Sequence, residues 1–181
     1  MKINIDLLTR IVLILVILPA MVLAQDTPAN QPPPLNMKET KYGVGYQGTF
    51  PANGLSGMMD VNENITAQAI FGLFGDLKTY AGRGLYRFRK EAYWDMYGYG
   101  MIGAWSYTGL EVGAGLTLKK TTETVLGFGA GVGIEYDWRG WDAKLPPIFW
   151  NLELGIGMVN FDKVDYNFST LLLGAGIHYR F

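Results

Sequence analysis

The sequence predicts an all-β protein, an eight-stranded antiparallel up-and-down β-barrel that spans a membrane. Apolar and polar side chains alternate with a period of two over long stretches, which is typical of β-strands whose two faces meet different surroundings. Glycine is frequent on the polar face, where a crowded barrel interior has more use for it than the solvent side of a soluble sheet. The chain also begins with a segment typical of exported proteins.

Residues 1–24 are predicted to be a signal peptide. Lys2 and Arg10 supply positive charge, an apolar run starts at Ile11, and Ala24 is the small residue expected at a cleavage site. The apolar stretch is shorter than the about 20 residues that a membrane-spanning helix needs, which argues against the alternative of a retained anchor. Residues 25–40 are predicted to be a proline-rich periplasmic linker, because they hold four prolines and no apolar periodicity. The barrel is therefore expected over 41–181.

The composition excludes several classes of function. The chain has no Cys and one His, so we expect no thiolate or histidine metal site and no cofactor. The formal net charge is −1, which gives no basic field for nucleic acid. The glycine-rich run 127–133 lacks the spacing and the following helix of a dinucleotide-binding loop.

The strands follow one another along the chain with short interruptions. The first alternates Tyr42, Val44 and Tyr46 with small or polar residues, and the second is the weakest because it is short. The cleanest is the sixth, where apolar residues at the even positions of 126–138 alternate with glycines and acids. The predicted ranges are 41–50, 55–62, 65–75, 79–90, 93–107, 124–138, 147–159 and 169–181.

An even number of strands places both ends of the barrel on the same side, which should be the periplasm. The outer loops would then be 51–54, 76–78, 108–123 and 160–168, and the inner turns 62–64, 90–92 and 139–146. The inner turn 139–146 is unusually long for this layout. Weak alternation over 110–118 leaves a second interpretation open, in which strands five and six continue as a hairpin above the membrane.

Several charged residues occupy strand positions that are predicted to face the interior of the barrel. An eight-stranded barrel is just wide enough for its interior to be filled by side chains, so these charges predict an ion-pair network. We expect Glu153 to pair with Arg83 or Arg87, and Glu135 to join nearer the periplasm. The predicted lumen network is Arg83, Arg87, Glu135, Asp137, Glu153, His178 and Arg180, and Arg89 has the same parity.

The outward parity predicts a lipid face with an aromatic girdle at each interface. The lipid face should include Leu126, Phe128, Val132, Ile134, Leu152, Leu154, Ile156, Leu173 and Ile177. Phe50, Trp105 and Tyr107 are assigned to the outer girdle, and Tyr86, Phe88, Trp138, Trp150, Tyr179 and Phe181 to the inner one.

The end of the sequence resembles a known family. Gly176, Tyr179 and Phe181 match the closing signal of outer-membrane barrels, although Gly174 stands where a polar residue is usual. With the glycine-rich strand 129–136, residues 41–181 resemble the small OmpA/OmpX-type barrels. The resemblance implies outer-membrane lipids as surroundings and the barrel-assembly machinery as a partner during insertion.

The fold alone does not specify a role, because it carries anchors, adhesins and lipid enzymes. We expect a non-enzymatic barrel that acts in envelope integrity or contacts an unidentified surface ligand through loops 108–123 and 160–168. The alternatives are an outer-leaflet lipid-modifying enzyme and a narrow channel. His178 is the one histidine, and it lies near the inner end of the last strand rather than at the outer rim.

Overall fold

A computed structural model describes residues 40–49, 52–72, 76–112, 118–161 and 167–181. The predicted signal peptide and nearly all of the predicted linker lie outside these residues. Eight strands are present: β1 (Tyr42–Thr49), β2 (Ala52–Asp60), β3 (Ile65–Gly72), β4 (Leu77–Lys90), β5 (Trp94–Val112), β6 (Leu118–Asp137), β7 (Ile148–Asn160) and β8 (Asn167–Arg180). No helix in the described ranges is long and apolar enough to cross a membrane.

The strands form one closed antiparallel barrel in sequence order, from β1 to β8. β1 pairs with β8 from Gly43 opposite Arg180 to Thr49 opposite Gly174, so the sheet has no open edge along this seam. The predicted fold class and the pairing of the first strand with the last are confirmed. The end that holds Tyr42 and Arg180 is called the terminal end below, and the opposite end is called the loop end.

The outer wall of the barrel is apolar, as the parity of the strands predicts. All nine residues of the predicted lipid face have outward parity; Ile134 and Leu154 are partly exposed, and the other seven are exposed. Tyr86, Phe88, Tyr179 and Phe181 of the inner girdle are also exposed at the terminal end. In a soluble protein such a surface would be turned inward, so the distribution of polarity is that of a barrel in lipid.

The inward glycines of β6 make room for large side chains of β5. Gly131 pairs with Tyr99, and Gly133 pairs with Tyr97. A Cβ on Gly131 would lie 2.4 Å from the Leu154 carbonyl oxygen and 2.7 Å from the Tyr99 hydroxyl. A Cβ on the outward-facing Gly100 would meet nothing within 4 Å. The glycine-rich run is therefore explained by packing against aromatic residues inside the barrel.

The structure replaces most of the predicted loop 108–123 with strand. Pairing between β5 and β6 continues from Thr108 opposite Thr122 to Val112 opposite Leu118. Neither β4 nor β7 follows it this far, since their pairing ends at Tyr107 and Gly127. The continuation of strands five and six as a hairpin is thus confirmed, whereas its position above the membrane stays a prediction. The assignment of 108–123 to a loop is wrong for the described part of this segment.

Three assignments of side-chain direction are wrong. Arg89 lies outside the barrel beside Glu91, at 3.1 Å, because a bulge between Arg87 and Arg89 reverses the parity of β4. Trp105 does not belong to an outer girdle, because it is fully buried inside the barrel with the other odd-numbered residues of β5. Tyr107 has the same inward parity and is partly buried against the interior, so its assignment to the outer girdle is wrong as well. Phe50 lies outside the described residues.

Candidate functional site: the barrel lumen

The middle of the lumen holds a buried ion pair between two facing strands. Arg83 Nη2 on β4 lies 2.7 Å from Glu153 Oε1 on β7, and both side chains have zero exposure. Tyr97 donates to the same carboxylate oxygen at 2.6 Å, and Thr49 donates to Oε2 at 2.7 Å. The Arg83 guanidinium also lies over the ring of Tyr99, 4.1 Å from its centroid. Of the two partners expected for Glu153, Arg83 forms the ion pair.

A second group of charges lies nearer the terminal end. Arg180 Nη2 is 3.0 Å from Glu135 Oε2, and Arg87 Nη2 is 3.4 Å from the same oxygen. Arg87 Nε also contacts Asp95 Oδ2 at 3.1 Å. Asp60 binds both guanidinium groups, at 3.3 Å from Arg87 and 3.2 Å from Arg180. Four strands thus contribute to this charged layer besides β8, and each carboxylate has a cation to offset its desolvation.

Asp137 is in the lumen at the terminal end, but it does not join this network. Arg139 Nη2 lies 2.6 Å from Asp137 Oδ2, and the Arg139 backbone N–H donates to Asp137 Oδ1 at 2.9 Å. The carboxylate caps the 3-10 turn Trp138–Gly140. Its role is local because Arg139 is only two residues away in sequence and reaches both oxygens.

His178 points into the lumen and meets two polar side chains from β2 and β3. Its Nε2 lies 3.0 Å from the Ser56 hydroxyl oxygen and 3.4 Å from Gln68 Nε2. A His–Ser contact is one element of a nucleophilic site, and the sequence did not place Ser56 here. His178 is fully buried and Ser56 is 5% exposed, so the hydroxyl faces the packed interior and not the surrounding lipid.

The loop-end half of the lumen is filled by apolar side chains. This apolar plug consists of Ala52, Ile70, Ala81, Met101, Trp105, Val159 and Phe161, all buried. Trp105 and Ile70 have no exposed surface. Buried Thr49 and Thr79 lie in the same half of the lumen, so packed apolar and small polar side chains fill the described part of this end.

Two acidic members of the charged layer, Asp60 and Asp95, were not among the predicted lumen residues. Asp60 was missed because it lies at the end of the weakly predicted second strand. Asp95 was missed because the next inward residues of β5, Tyr97 and Tyr99, are aromatic, so this strand shows no clear alternation between a polar and an apolar face. Carrying the odd-numbered parity of β5 back from Met101 would have placed Asp95 inside the barrel.

The residues of the predicted assembly signal lie along the end of β8. Tyr179 and Phe181 are exposed on the outer wall with ring centroids 6.1 Å apart. Gly176 lies close to the Gln47 amide, whose Oε1 would be 2.3 Å from a Cβ there. Among the described residues there is no group of three or more His, Cys, Asp or Glu side chains that could hold a metal ion.

Fold and lumen together define a class of protein. A closed ring of eight antiparallel strands with an apolar exterior and a side-chain-filled, charged interior is the architecture of the small outer-membrane barrels of the OmpA/OmpX type. The fold expected from the resemblance of the sequence is therefore the fold that the structure has.

Two solved structures of Ail from Yersinia pestis are similar to this chain. The backbone structure of the outer membrane protein Ail in a phospholipid bilayer nanodisc is 16% identical, with a TM-score of 0.39, and the match covers 79% of this chain and 100% of that chain. The crystal structure of Ail, the attachment invasion locus protein, is 16% identical, with a TM-score of 0.36, and the match covers 76% of this chain and 96% of that chain. No protein-family model matches the chain, and no curated protein sequence matches it.

Proposed function

We propose that the protein is a non-enzymatic barrel of the bacterial outer membrane that acts in envelope integrity or surface contact. Its termini would be periplasmic, and the β5–β6 hairpin and the connection from β7 to β8 would be exposed outside the cell. The observation that carries this proposal is the filled lumen, in which the charged layer, the Arg83–Glu153 pair and the apolar plug occupy successive levels. A barrel without an open interior acts through its wall and its ends.

The surface available for contact is the β5–β6 hairpin beyond the rest of the wall. The Thr108 and Thr122 oxygens lie 3.0 Å apart at its base, and Thr124 donates to Ser106 at 3.1 Å just below it. Cross-strand hydroxyl pairs of this kind stabilise a hairpin in water. This supports a location in aqueous surroundings above the membrane.

The orientation is tested by inserting one specific protease site at residues 113–117, between β5 and β6, and a matched site at residues 62–64, between β2 and β3. We expect protease added to intact cells to cut only the site between β5 and β6. The site between β2 and β3 should be cut only after the outer membrane is permeabilised. The reverse pattern would overturn the proposed orientation, and resistance at both sites in permeabilised cells would contradict exposure of the turns.

Purified protein in planar bilayers is expected to show no stable conductance, because buried side chains fill the described part of the lumen. A large-pore outer-membrane barrel inserted under the same conditions serves as the positive control, and protease protection of the test protein verifies its own insertion. A reproducible open conductance of the inserted protein would instead support the narrow-channel alternative.

A further inference from the structure

The turn between β6 and β7, residues 138–147, is the long turn at the terminal end that the predicted layout leaves unexplained. It has a defined structure of its own. The Trp141 backbone N–H donates to the Trp138 carbonyl at 2.9 Å, and Asp137 holds the side chain of Arg139. The Pro147 carbonyl accepts the backbone N–H of Arg180 at 3.0 Å, which ties the turn to the end of β8. These contacts give the turn a defined conformation despite its length.

That fold brings the turn against the outer wall. The Trp141 ring lies 5.5 Å from the ring of Tyr136 and 6.0 Å from that of Trp138. Tyr136 lies 5.8 Å from Trp150, and both have outward parity on β6 and β7. A Cβ on Gly140 would lie 2.5 Å from the Tyr136 hydroxyl, so the backbone of the turn approaches the wall closely. These four rings form an aromatic cluster outside the barrel.

The cluster continues the lipid-facing wall. Tyr136 pairs with Trp150, which pairs with Ile177, and the next outward pair along these strands is Ile134 with Leu152. Trp141 is nevertheless 68% exposed. Tryptophan is favoured where an apolar ring and a polar N–H meet the boundary between lipid tails and headgroups. The exposed Lys144 can extend its ammonium group from the same turn towards phosphate.

The β2–β3 turn at the same end has a different construction. Asn62 Oδ1 accepts the backbone N–H groups of Asn64 and Ile65, both at 2.9 Å. This polar turn, residues 61–64, contains no aromatic residue. The β4–β5 turn at this end carries Tyr93, close to Gly140 of the β6–β7 turn, so the aromatic residues lie on the side of β5, β6 and β7 and not at the β2–β3 turn.

We propose that the β6–β7 turn is a membrane-interface anchor, with Trp141 and its aromatic neighbours in the headgroup region of the phospholipid leaflet at the terminal end. The proposal rests on the proposed function, because it requires the barrel to lie in a bilayer. The occupant is lipid because the cluster is continuous with the lipid-facing wall. The anchor fixes the depth of the barrel at this side, which accounts for the unusual length of the turn.

The absence of cysteine in the chain allows single spin labels to be placed by one substitution each. Ala143→Cys reports on the turn, Asn64→Cys on the β2–β3 turn, and Leu152→Cys on the lipid-facing wall. The protein is reconstituted in vesicles of phosphatidylglycerol and phosphatidylethanolamine. Collision of the label with oxygen, which concentrates in lipid, and with a water-soluble nickel chelate measures its depth.

We expect the ratio of oxygen to nickel accessibility at position 143 to lie between the values at 64 and 152. Trp141→Ala should shift that ratio towards the value at 64, whereas Trp141→Phe should retain most of the depth. A label at 143 as aqueous as that at 64, with the label at 152 in lipid, would overturn the anchor and leave the barrel assignment intact. An unchanged depth in Trp141→Ala would also overturn it. An aqueous label at 152 would contradict the membrane location itself, and with it the anchor.

Discussion

Replacing Arg83 with methionine is expected to lower the free energy of unfolding by about 3–5 kcal/mol, because it leaves the carboxylate of Glu153 buried without its cation. The Arg83 and Glu153 side chains have zero exposure, so bulk solvent does not screen the remaining charge. Thr49 and Tyr97 would still donate to Glu153, but neutral donors offset only part of the desolvation cost. Urea unfolding in detergent micelles, followed by tryptophan fluorescence, measures the change.

The same strand offers a matched control in Arg89. It forms an ion pair with Glu91 in which the two side chains are 48% and 43% exposed, so Arg89→Met should cost at most about 1 kcal/mol. The double variant Arg83→Met with Glu153→Leu removes both charges and should be more stable than Arg83→Met alone. Equal losses for Arg83→Met and Arg89→Met would contradict the burial of the Arg83–Glu153 pair from bulk solvent.

Replacing Trp105 with alanine is the second change with a large expected effect. Trp105 has no exposed surface and is the largest side chain of the apolar plug. Its removal leaves a cavity in the plug, and strand pairing keeps the surrounding wall from closing around it. We therefore expect a loss of about 3–5 kcal/mol in unfolding free energy. The measurement is the same urea titration.

Trp105→Phe keeps an aromatic ring in the plug and is the control. It should cost clearly less than Trp105→Ala, because much of the buried volume remains. If the alanine variant unfolded at the wild-type urea concentration, the plug would not be a packed core, and the reason for expecting a closed lumen would be lost.

The sequence was sufficient for the fold because lipid and lumen impose opposite demands on alternate residues. In β6, apolar side chains at even positions alternate with glycines or acids at odd positions. This contrast predicts that the segment is a strand, which of its faces points outward, and that the outward face meets lipid. Parity and height also limited the partner of Glu153 to Arg83 or Arg87, because these residues lie on strands that face each other across a narrow ring; the structure selects Arg83.

The errors arose where parity could not be determined locally. The prediction for Trp105 rested on its position near the end of a strand. Its direction depends instead on how β5 pairs with β6, because Gly127 of β6 leaves space inside the barrel for the Trp105 ring. Arg89 follows a bulge, and nothing in the residues around it marks the extra position. The partner of Asp137 is Arg139, which lies in the following turn, where the alternation of a strand no longer predicts side-chain direction.

The seam between β1 and β8 has a further property. Gln47 and Asn151 exchange hydrogen bonds at 3.1 and 3.3 Å, and Thr49 donates to Glu153, so side chains of β1 reach past β8 to β7. Slipping β1 by two residues along β8 would preserve every inward and outward direction, and alternation alone could not reject it. The slip would separate these polar partners and leave buried groups unsatisfied. The side-chain hydrogen bonds inside the barrel therefore favour one β1–β8 register over others that backbone pairing alone would allow.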